Sequence, residues 1–304
     1  MIIARSRSAA SIALLLSLAP VGCSNSAITP PAEAAQAPAN PQAAVALPNA
    51  ASSYKFGVLG DFGIASKEQY DLGAQMAKTH DTFKFEHVVL VGDNLYGADR
   101  PQDFKSKFET PYQALLDVGV KFYAALGNHD SREQKDYKLF NMGGKLYYTF
   151  SPKADIRFFI LESTYPVPEQ IQWLENELKQ SGSKWKIAVF HHPLYSSGGR
   201  HGSDTQLRAV LEPLFVKYNV SVVMQGHDHF YERTKPQQGI TYFVVGSGGM
   251  LRRGNIDRNS GLTAKGFDTD LAFLAAEIAG DNMTFNVFTR GGKVIDSGVI
   301  ARRK

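Results

Sequence analysis

The chain has 304 residues, of which 33 are Lys or Arg and 29 are Asp or Glu, so its formal net charge at pH 7 is +4. Beyond the signal region the basic tract is Arg302-Arg303-Lys304, which is too short to serve as the electrostatic footprint of a nucleic-acid-binding protein. The single cysteine excludes a disulfide within the chain, so the core alone must stabilise the fold.

The first 22 residues have the pattern of a secretory signal peptide. Arg5 and Arg7 precede an apolar stretch from Ala9 to Ala19, which is too short to span a bilayer stably. The stretch ends at Gly22-Cys23, a pair typical of a bacterial lipoprotein site, although Pro20 stands where that pattern usually has Leu. We therefore predict a lipidated Cys23, membrane attachment through it and a periplasmic or cell-surface location. Secretion with a free cysteine is the alternative.

Residues 23–50 are predicted to form a tether. From residue 24 onward they are mostly Ala, Pro, Ser, Asn and Gln, with Glu33 as the only charge, and such a segment has nothing to pack and favours an extended chain. Removal of residues 1–22 takes away two positive charges and no acid, which lowers the net charge from +4 to +2. Residues 51–304 have the length of a single layered α/β domain, which we predict to be catalytic.

Five short apolar runs in this domain indicate buried strands that each stop at polar residues. The runs and the residues after them are Phe56 to Leu59 with Gly60-Asp61, Val88 to Val91 with Gly92-Asp93-Asn94-Leu95-Tyr96, Tyr123 to Leu126 with Gly127-Asn128-His129-Asp130, Ile187 to Phe190 with His191-His192-Pro193, and Val220 to Gln225 with Gly226-His227-Asp228-His229. A strand that presents Asp, Asn or His at its carboxyl end is how an α/β sheet places chemistry at its rim.

Helical spacing of apolar residues indicates helices between these strands. One helix contains Val167, Ile171, Leu174 and Leu178, and another contains Leu207, Val210, Leu211, Leu214 and Phe215 after the cap candidates Ser203 and Asp204. After residue 240 the pattern indicates strands alone, at 242–245, 271–278, 283–288 and 293–300. This order predicts an α/β fold of two sheets face to face with helices outside. Loops at 97–112, 195–203 and 250–268 are predicted to wall its pocket.

The polar residues after the five strands predict a pair of metal ions. Carboxylates, imidazoles, an amide oxygen and a phenol are hard or borderline donors, and no thiolate is among them, which points to Fe, Mn or Zn bound for hydrolysis. Two such ions about 3.5–4 Å apart clamp the attacking and the leaving oxygen of a phosphoryl transfer. One carboxylate must bridge the ions, and Asp93 is the natural candidate.

Between residues 54 and 250, five motifs resemble the signature of the purple acid phosphatases, a branch of the metallophosphoesterase superfamily. They are Gly60-Asp61-x-Gly63, Gly92-Asp93-x-x-Tyr96, Gly127-Asn128-His129-Asp130, the segment that ends in His191, and Gly226-His227-x-His229. Gly63, where most of the superfamily has a metal-binding His, and Tyr96 point to the purple branch. The resemblance implies a four-layer αββα sandwich of two mixed β-sheets flanked by helices.

The resemblance also implies a ligand set and an activity. An Fe(III) would be held by Asp61, Asp93, Tyr96 and His229, and a second, divalent ion (Fe, Zn or Mn) by Asp93, Asn128, His191 and His227. A trivalent ion allows a metal-bound hydroxide to exist in acid. The implied function is therefore a binuclear acid phosphatase that hydrolyses small phosphomonoesters by attack of that hydroxide.

Two further histidines are candidate general acids for the departing alkoxide. They are His129 and His201, since imidazole titrates near the working range. The alternatives are a hydrogen-bonding residue behind the ligands for His129 and an exposed loop histidine for His201. Asp130 and Asp228 are predicted to orient ligand imidazoles. The Gly246-Ser247-Gly248-Gly249 segment is interpreted as a Gly-rich turn.

Two other functions stay open. The first is that of sister branches, which use the same two-metal core on phosphodiesters or nucleotides, and the second is that of a lipoprotein which holds metal or phosphate without turnover. Tyr96 argues against the first alternative. The complete ligand set, together with His129, argues against the second.

Overall fold

The computed structural model of the protein describes residues 44–182 and 184–304. The predicted signal peptide 1–22, Cys23 and the tether as far as residue 43 lie outside the described residues, so export, lipidation and membrane attachment stay predictions. Within the described ranges, no helix has both the length and the apolar character needed to cross a membrane.

Thirteen strands and five α-helices occur in the described residues. In chain order, β1 to β13 are Tyr54–Leu59, His87–Val91, Lys121–Ala125, Tyr148–Lys153, Ile156–Ile160, Trp185–Val189, Val222–Gln225, Tyr231–Thr234, Thr241–Val245, Thr263–Phe267, Ala272–Ala279, Asn282–Thr289 and Val294–Ala301. The helices α1 to α5 are Lys67–Phe83, Pro101–Phe104, Gln113–Asp117, Pro168–Gln180 and Thr205–Lys217. A π-helical turn, Lys105–Glu109, follows α2, and two 3-10 turns, Arg132–Asp136 and Lys138–Phe140, follow β3.

The strands form two mixed sheets, as the sequence predicts. The first sheet has the order β13-β12-β11-β1-β2-β3, and the second has the order β10-β8-β9-β7-β6-β5-β4. Strands β1, β2 and β3 run parallel, as do β5, β6, β7 and β9. Parallel strands bring their carboxyl ends to one edge of a sheet, so the order of the strands gathers the predicted ligands.

The core lies between the two sheets and beneath the outer helices. In β6, Trp185, Ile187 and Val189 belong to the apolar cluster shared by both sheets, whereas Ala188 packs with α4 and α5 on the other face. This alternation is what a strand with both faces covered requires. The result is the four-layer αββα sandwich.

The two predicted helices are confirmed, although Val167 precedes the first of them and is 41% exposed, and the second also has one exposed residue on its predicted stripe. Pro168 occupies the first turn of α4, where its missing N–H leaves no bond unmade. The Asp204 side chain caps α5 by accepting from the Leu207 N–H at 2.9 Å. Val210, which the spacing placed on the buried stripe, is 47% exposed, because Leu207, Leu211 and Phe215 alone fill the inner face.

Helices α1 and α3 were not predicted, and one predicted loop is largely helical. Helix α1 buries Gln69 and Thr79 along with Leu72 and Met76, so its apolar spacing is too sparse to read from the sequence. The segment 97–112, predicted as a loop, contains α2 and the π-helical turn. Gly73 of α1 lets the two segments approach, because a Cβ there would lie 2.2 Å from the Pro111 carbonyl oxygen.

The end of the predicted tether packs on the domain. The buried carboxylate of Glu277 accepts from the backbone N–H groups of Asn49 and Ala50, each at 2.6 Å. The Val45 N–H donates to Ser297 Oγ at 2.9 Å, and Leu47 packs against the core. The prediction that the segment has nothing to pack as far as residue 50 is therefore wrong for residues 44–50, since the partners that hold them come from distant strands.

Candidate metal centre

The carboxyl ends of β1, β2, β3, β6 and β7 meet at one edge of the sandwich. Within the first sheet, the Asp61 N–H donates to the Gly92 carbonyl at 3.0 Å, and within the second, the Gly226 N–H donates to the His191 carbonyl at 3.0 Å. The two sheets are joined at this edge by His191, whose Nδ1 lies 3.0 Å from the Val91 carbonyl oxygen. The seven predicted ligands all lie here, in two groups that share Asp93.

The first group contains Asp61, Asp93, Tyr96 and His229. The Tyr96 hydroxyl lies 3.3 Å from Asp61 Oδ1, 3.0 Å from Asp93 Oδ2 and 3.1 Å from His229 Nε2. His229 Nε2 is 3.5 Å from Asp61 Oδ1. Asp61, Asp93 and His229 each offer a ligand atom within 4.8 Å of the others.

The second group contains Asp93, Asn128, His191 and His227. His191 Nε2 lies 3.4 Å from Asp93 Oδ1, 3.1 Å from Asn128 Oδ1 and 3.2 Å from His227 Nδ1. Asp93 therefore directs one carboxylate oxygen to each group, because its Oδ2 faces Tyr96. This is the position expected of a bridging ligand.

The backbone at this edge is shaped to bring the ligands together. Asp61, Asp93 and His227 have φ values of +53°, +49° and +70°, a region that residues with a side chain rarely occupy and that is associated with functional sites. A Cβ on Gly127 would lie 2.2 Å from Asp93 Oδ1, and a Cβ on Gly226 would lie 2.4 Å from Asp61 Oδ2. Both glycines are needed because any side chain would displace a carboxylate.

The donors fit metal ions. Nδ1 of His191 faces a carbonyl oxygen, which can only accept, so Nδ1 carries the proton and Nε2 turns toward the Asn128 oxygen and Asp93. Ring nitrogens of His191 and His227 also face each other. A buried cluster of mutually facing nitrogen and oxygen lone pairs is stable with cations between its members, and this set contains only hard and borderline donors.

The ionisable groups influence one another strongly. Burial raises the pKa of Asp61 well above its ordinary value. Burial alone would lower the pKa of His191, but the charge of Asp93 raises it to about 9, and His191 in turn holds the pKa of Asp93 below its usual range. Burial and the charge of His191 lower the pKa of His227 to about 2. A cation would displace the proton that Asp93 and His191 share.

Both candidate general acids lie at the rim. His129 is exposed, its ring centroid is 4.8 Å from that of Tyr96, and its backbone N–H donates to Asp93 Oδ1 at 2.9 Å. His201 is exposed, and its ring centroid is 4.2 Å from that of His227. The two histidines therefore flank different groups, His129 beside the first and His201 beside the second.

The two aspartates predicted to orient imidazoles hold backbone instead. Asp130 accepts from the N–H groups of Asn94, Leu95 and Gly127 at 2.8–3.0 Å, which ties the loop after β2 to the loop after β3. Asp228 accepts from Ser196 Oγ at 2.5 Å and from the Gly202 N–H at 3.1 Å. Neither carboxylate accepts from an imidazole in the described residues. The orienting partner of His191 is the Val91 carbonyl.

The Gly-rich segment, which the sequence interpretation treated as a turn, lies against the loops that carry the ligands. The Gly249 and Met250 N–H groups donate to the Asp61 carbonyl at 3.0 and 2.9 Å. A Cβ on Gly246 would lie 2.1 Å from the Asp228 carbonyl oxygen. The segment is thus part of the support of the site rather than a distant turn, and its three glycines within four residues were the available signal.

The fold and the site together define a metallophosphoesterase. Two mixed sheets that join their strand ends around two groups of carboxylate, amide, imidazole and phenol donors are suited to phosphoryl transfer with metal ions. Comparison with known proteins agrees with this class.

A family model described as calcineurin-like phosphoesterase matches residues 54–231. The chain is 27% identical over 242 residues to purple acid phosphatase 17 of Arabidopsis thaliana, covering 67% of this chain and 71% of the relative. It is 28% identical to the Fe(3+)-Zn(2+) purple acid phosphatase 12 of the same plant, covering 63% of this chain and 46% of that longer relative.

Solved structures share the fold. Purple acid phosphatase PPD1 from yellow lupin (Lupinus luteus) matches with a TM-score of 0.69 and 21% identity, over 84% of this chain and 55% of that one. GAP50, described as the anchor in the inner membrane complex of Plasmodium, matches with a TM-score of 0.72 and 20% identity, over 83% and 90% of the two chains. The chain belongs to the calcineurin-like phosphoesterase family, and its predicted resemblance to the purple acid phosphatases is confirmed.

Proposed function

We propose that this protein is a binuclear-metal acid phosphatase of the purple type, which hydrolyses phosphomonoesters. The observation that carries the proposal is the position of Tyr96, whose hydroxyl lies within 3.3 Å of Asp61 and 3.0 Å of Asp93. A phenolate is a hard anionic donor, which favours Fe(III) among the candidate ions. The likeness to a relative named as an Fe(3+)-Zn(2+) enzyme supports an Fe(III) beside a divalent ion.

The residues have distinct roles in this proposal. Asp61, Asp93, Tyr96 and His229 would hold the Fe(III), and Asp93, Asn128, His191 and His227 the divalent ion. When bound, the two ions supply an ionised water as nucleophile and neutralise charge on the phosphoryl oxygens. Asn128 is exposed beside His191, so its amide is accessible to substrate. The rim histidines His129 and His201 are the two candidates for the residue that donates a proton to the departing oxygen.

The Tyr96→Phe variant tests the metal assignment. We expect the purified wild-type protein to be pink to purple, because a phenolate bound to Fe(III) gives a charge-transfer band. Removal of the hydroxyl should abolish that band while the position of the half-buried ring and the fold are retained. The measurement is a visible spectrum with metal analysis and circular dichroism.

A matched control for this test is Tyr165→Phe, since Tyr165 is 66% exposed and outside the two ligand groups. Its spectrum should equal that of the wild type. A colourless wild type with two Zn or Mn ions would contradict the Fe(III) assignment and leave the hydrolase proposal standing.

The kind of ester is decided by a direct comparison of substrates. We expect the rate on nitrophenyl phosphate to exceed the rate on bis(nitrophenyl) phosphate. The two exposed histidines at the rim suit a monoester, in which the phosphorus carries a single ester group that leaves. A reversed order would favour the phosphodiester alternative. Absence of turnover on both esters by a protein that holds two metals would favour the non-catalytic alternative.

A further inference from the structure

One charged side chain beside the ligands is neither a metal ligand nor a proton donor in the proposed function. Arg252 follows the Gly-rich segment, and its backbone N–H donates to the His229 carbonyl at 2.8 Å. Two residues earlier, the Met250 N–H donates to the Asp61 carbonyl at 2.9 Å. The backbone of Arg252 is therefore fixed to two loops that each carry a ligand.

The guanidinium of Arg252 is incompletely paired. Its Nη1 is buried, and no hydrogen-bond partner for it exists within residues 44–182 and 184–304. A buried N–H without a partner is costly, and one that belongs to a charged group is more so. Such an atom in a native protein requires an explanation, and a ligand that accepts from it is one.

The loops that hold Arg252 show which part of the site it lies near. Its backbone is bonded to the loop of His229, and the loop that follows it is bonded to Gly199, two residues before His201. These histidines belong to different sides of the site, because His229 lies in the first ligand group and His201 packs on His227 of the second. Arg252 thus lies near the opening between the two groups.

Neighbouring groups among the described residues do not pair with the positive charge of Arg252. The loop that carries Arg252 is attached to the loop that carries His201, through a bond from the Gly199 N–H to the Asn255 carbonyl at 2.8 Å. The nearby acid is Asp228, whose carboxylate already accepts from Ser196 and from the backbone of Gly202. The rim formed by these two loops is therefore positively charged toward the site.

We propose that Arg252 is a substrate-binding residue whose half-buried guanidinium donates a hydrogen bond to an oxygen of the phosphoryl group. The inference rests on the proposed function for the identity of the substrate. A guanidinium suits this task because its planar fork matches the oxygens of a phosphate and stays charged in acid. Arg252 adds a fixed positive charge on the side of His229, where the other residue available to substrate is His129.

The test is the binding of inorganic phosphate to the metal-loaded protein, measured by titration calorimetry at fixed salt. Arg252→Gln should weaken phosphate binding by about 10- to 100-fold, which is the range for a lost hydrogen bond to a charged group. KM for nitrophenyl phosphate should rise by a similar factor, with a smaller change in kcat. Arg252→Lys should recover part of the loss, since Lys retains the charge and lacks the fork.

The matched control is Arg253→Gln, because Arg253 is the next residue and is exposed. It should bind phosphate as the wild type does. Equal phosphate affinity of Arg252→Gln and wild type would overturn the inference, and so would a loss of metal from Arg252→Gln, because the residue would then act through the ligand loops. A wild type that binds phosphate through Arg252 without hydrolysing esters would refute the proposed function alone.

Discussion

Asp93→Asn should lose both metal ions and nearly all turnover. Asp93 directs Oδ1 toward His191 at 3.4 Å and Oδ2 toward Tyr96 at 3.0 Å, so it is the residue that contacts both ligand groups. Asn has the same shape as Asp, so it fits beside Gly127, but it lacks the negative charge that the two cations would share. We expect a loss in turnover beyond the roughly 10–100-fold that follows from removing a residue behind the ligands of a metal site.

The measurement is metal content by mass spectrometry together with the rate on nitrophenyl phosphate. Asn128→Ala is the informative comparison, because Asn128 lies beside His191 in the second group alone. It should weaken binding of the divalent ion and keep most of the Fe(III). Asp99→Ala, in the loop between β2 and α2, should change neither the metal content nor the rate. Two metals and a near-normal rate in Asp93→Asn would mean that the assignment of the bridge is wrong.

The features that the sequence predicted well depend on short stretches of chain. Each ligand follows a buried apolar run directly, and parallel strands bring their ends to one edge regardless of what lies between them. Asp61, Asp93 and His227 therefore lie at one edge of the sandwich, although no sequence pattern predicts their left-handed backbone. The cap at Asp204 was likewise predicted, because capping depends on residues three apart.

The features that the sequence did not predict depend on contacts between distant segments. The carboxylates of Asp130 and Asp228 lie next to ligands in sequence, yet they accept from loop backbone rather than imidazole. The burial of Gln69 in α1 is offset by its bond to the Lys107 carbonyl, which no local pattern reports. Residues 44–50 are held by Glu277, more than two hundred positions away. Composition alone therefore assigned them to the tether.

Replacement of the rim histidines should separate leaving-group protonation from the rest of the chemistry. The leaving group of nitrophenyl phosphate is a stable phenolate anion. The leaving group of glycerol phosphate is a strongly basic alkoxide, which needs a proton. A positioned general acid is worth about 10²–10⁴-fold, so its removal should slow the alkyl ester by such a factor and the aryl ester far less. The measurement is kcat/KM on both esters for His129→Ala and His201→Ala.

The geometry makes the two variants unequal. His129 packs on Tyr96 and holds Asp93 through its backbone, while His201 packs on His227. A single leaving oxygen faces one side of the site, so we expect one variant to show the selective loss, and His129 is favoured because it follows Asn128 directly. Metal content should be unchanged in both variants, and His80→Ala provides a histidine control away from the ligands. Equal losses on both ester classes would mean that these histidines position the substrate and donate no proton.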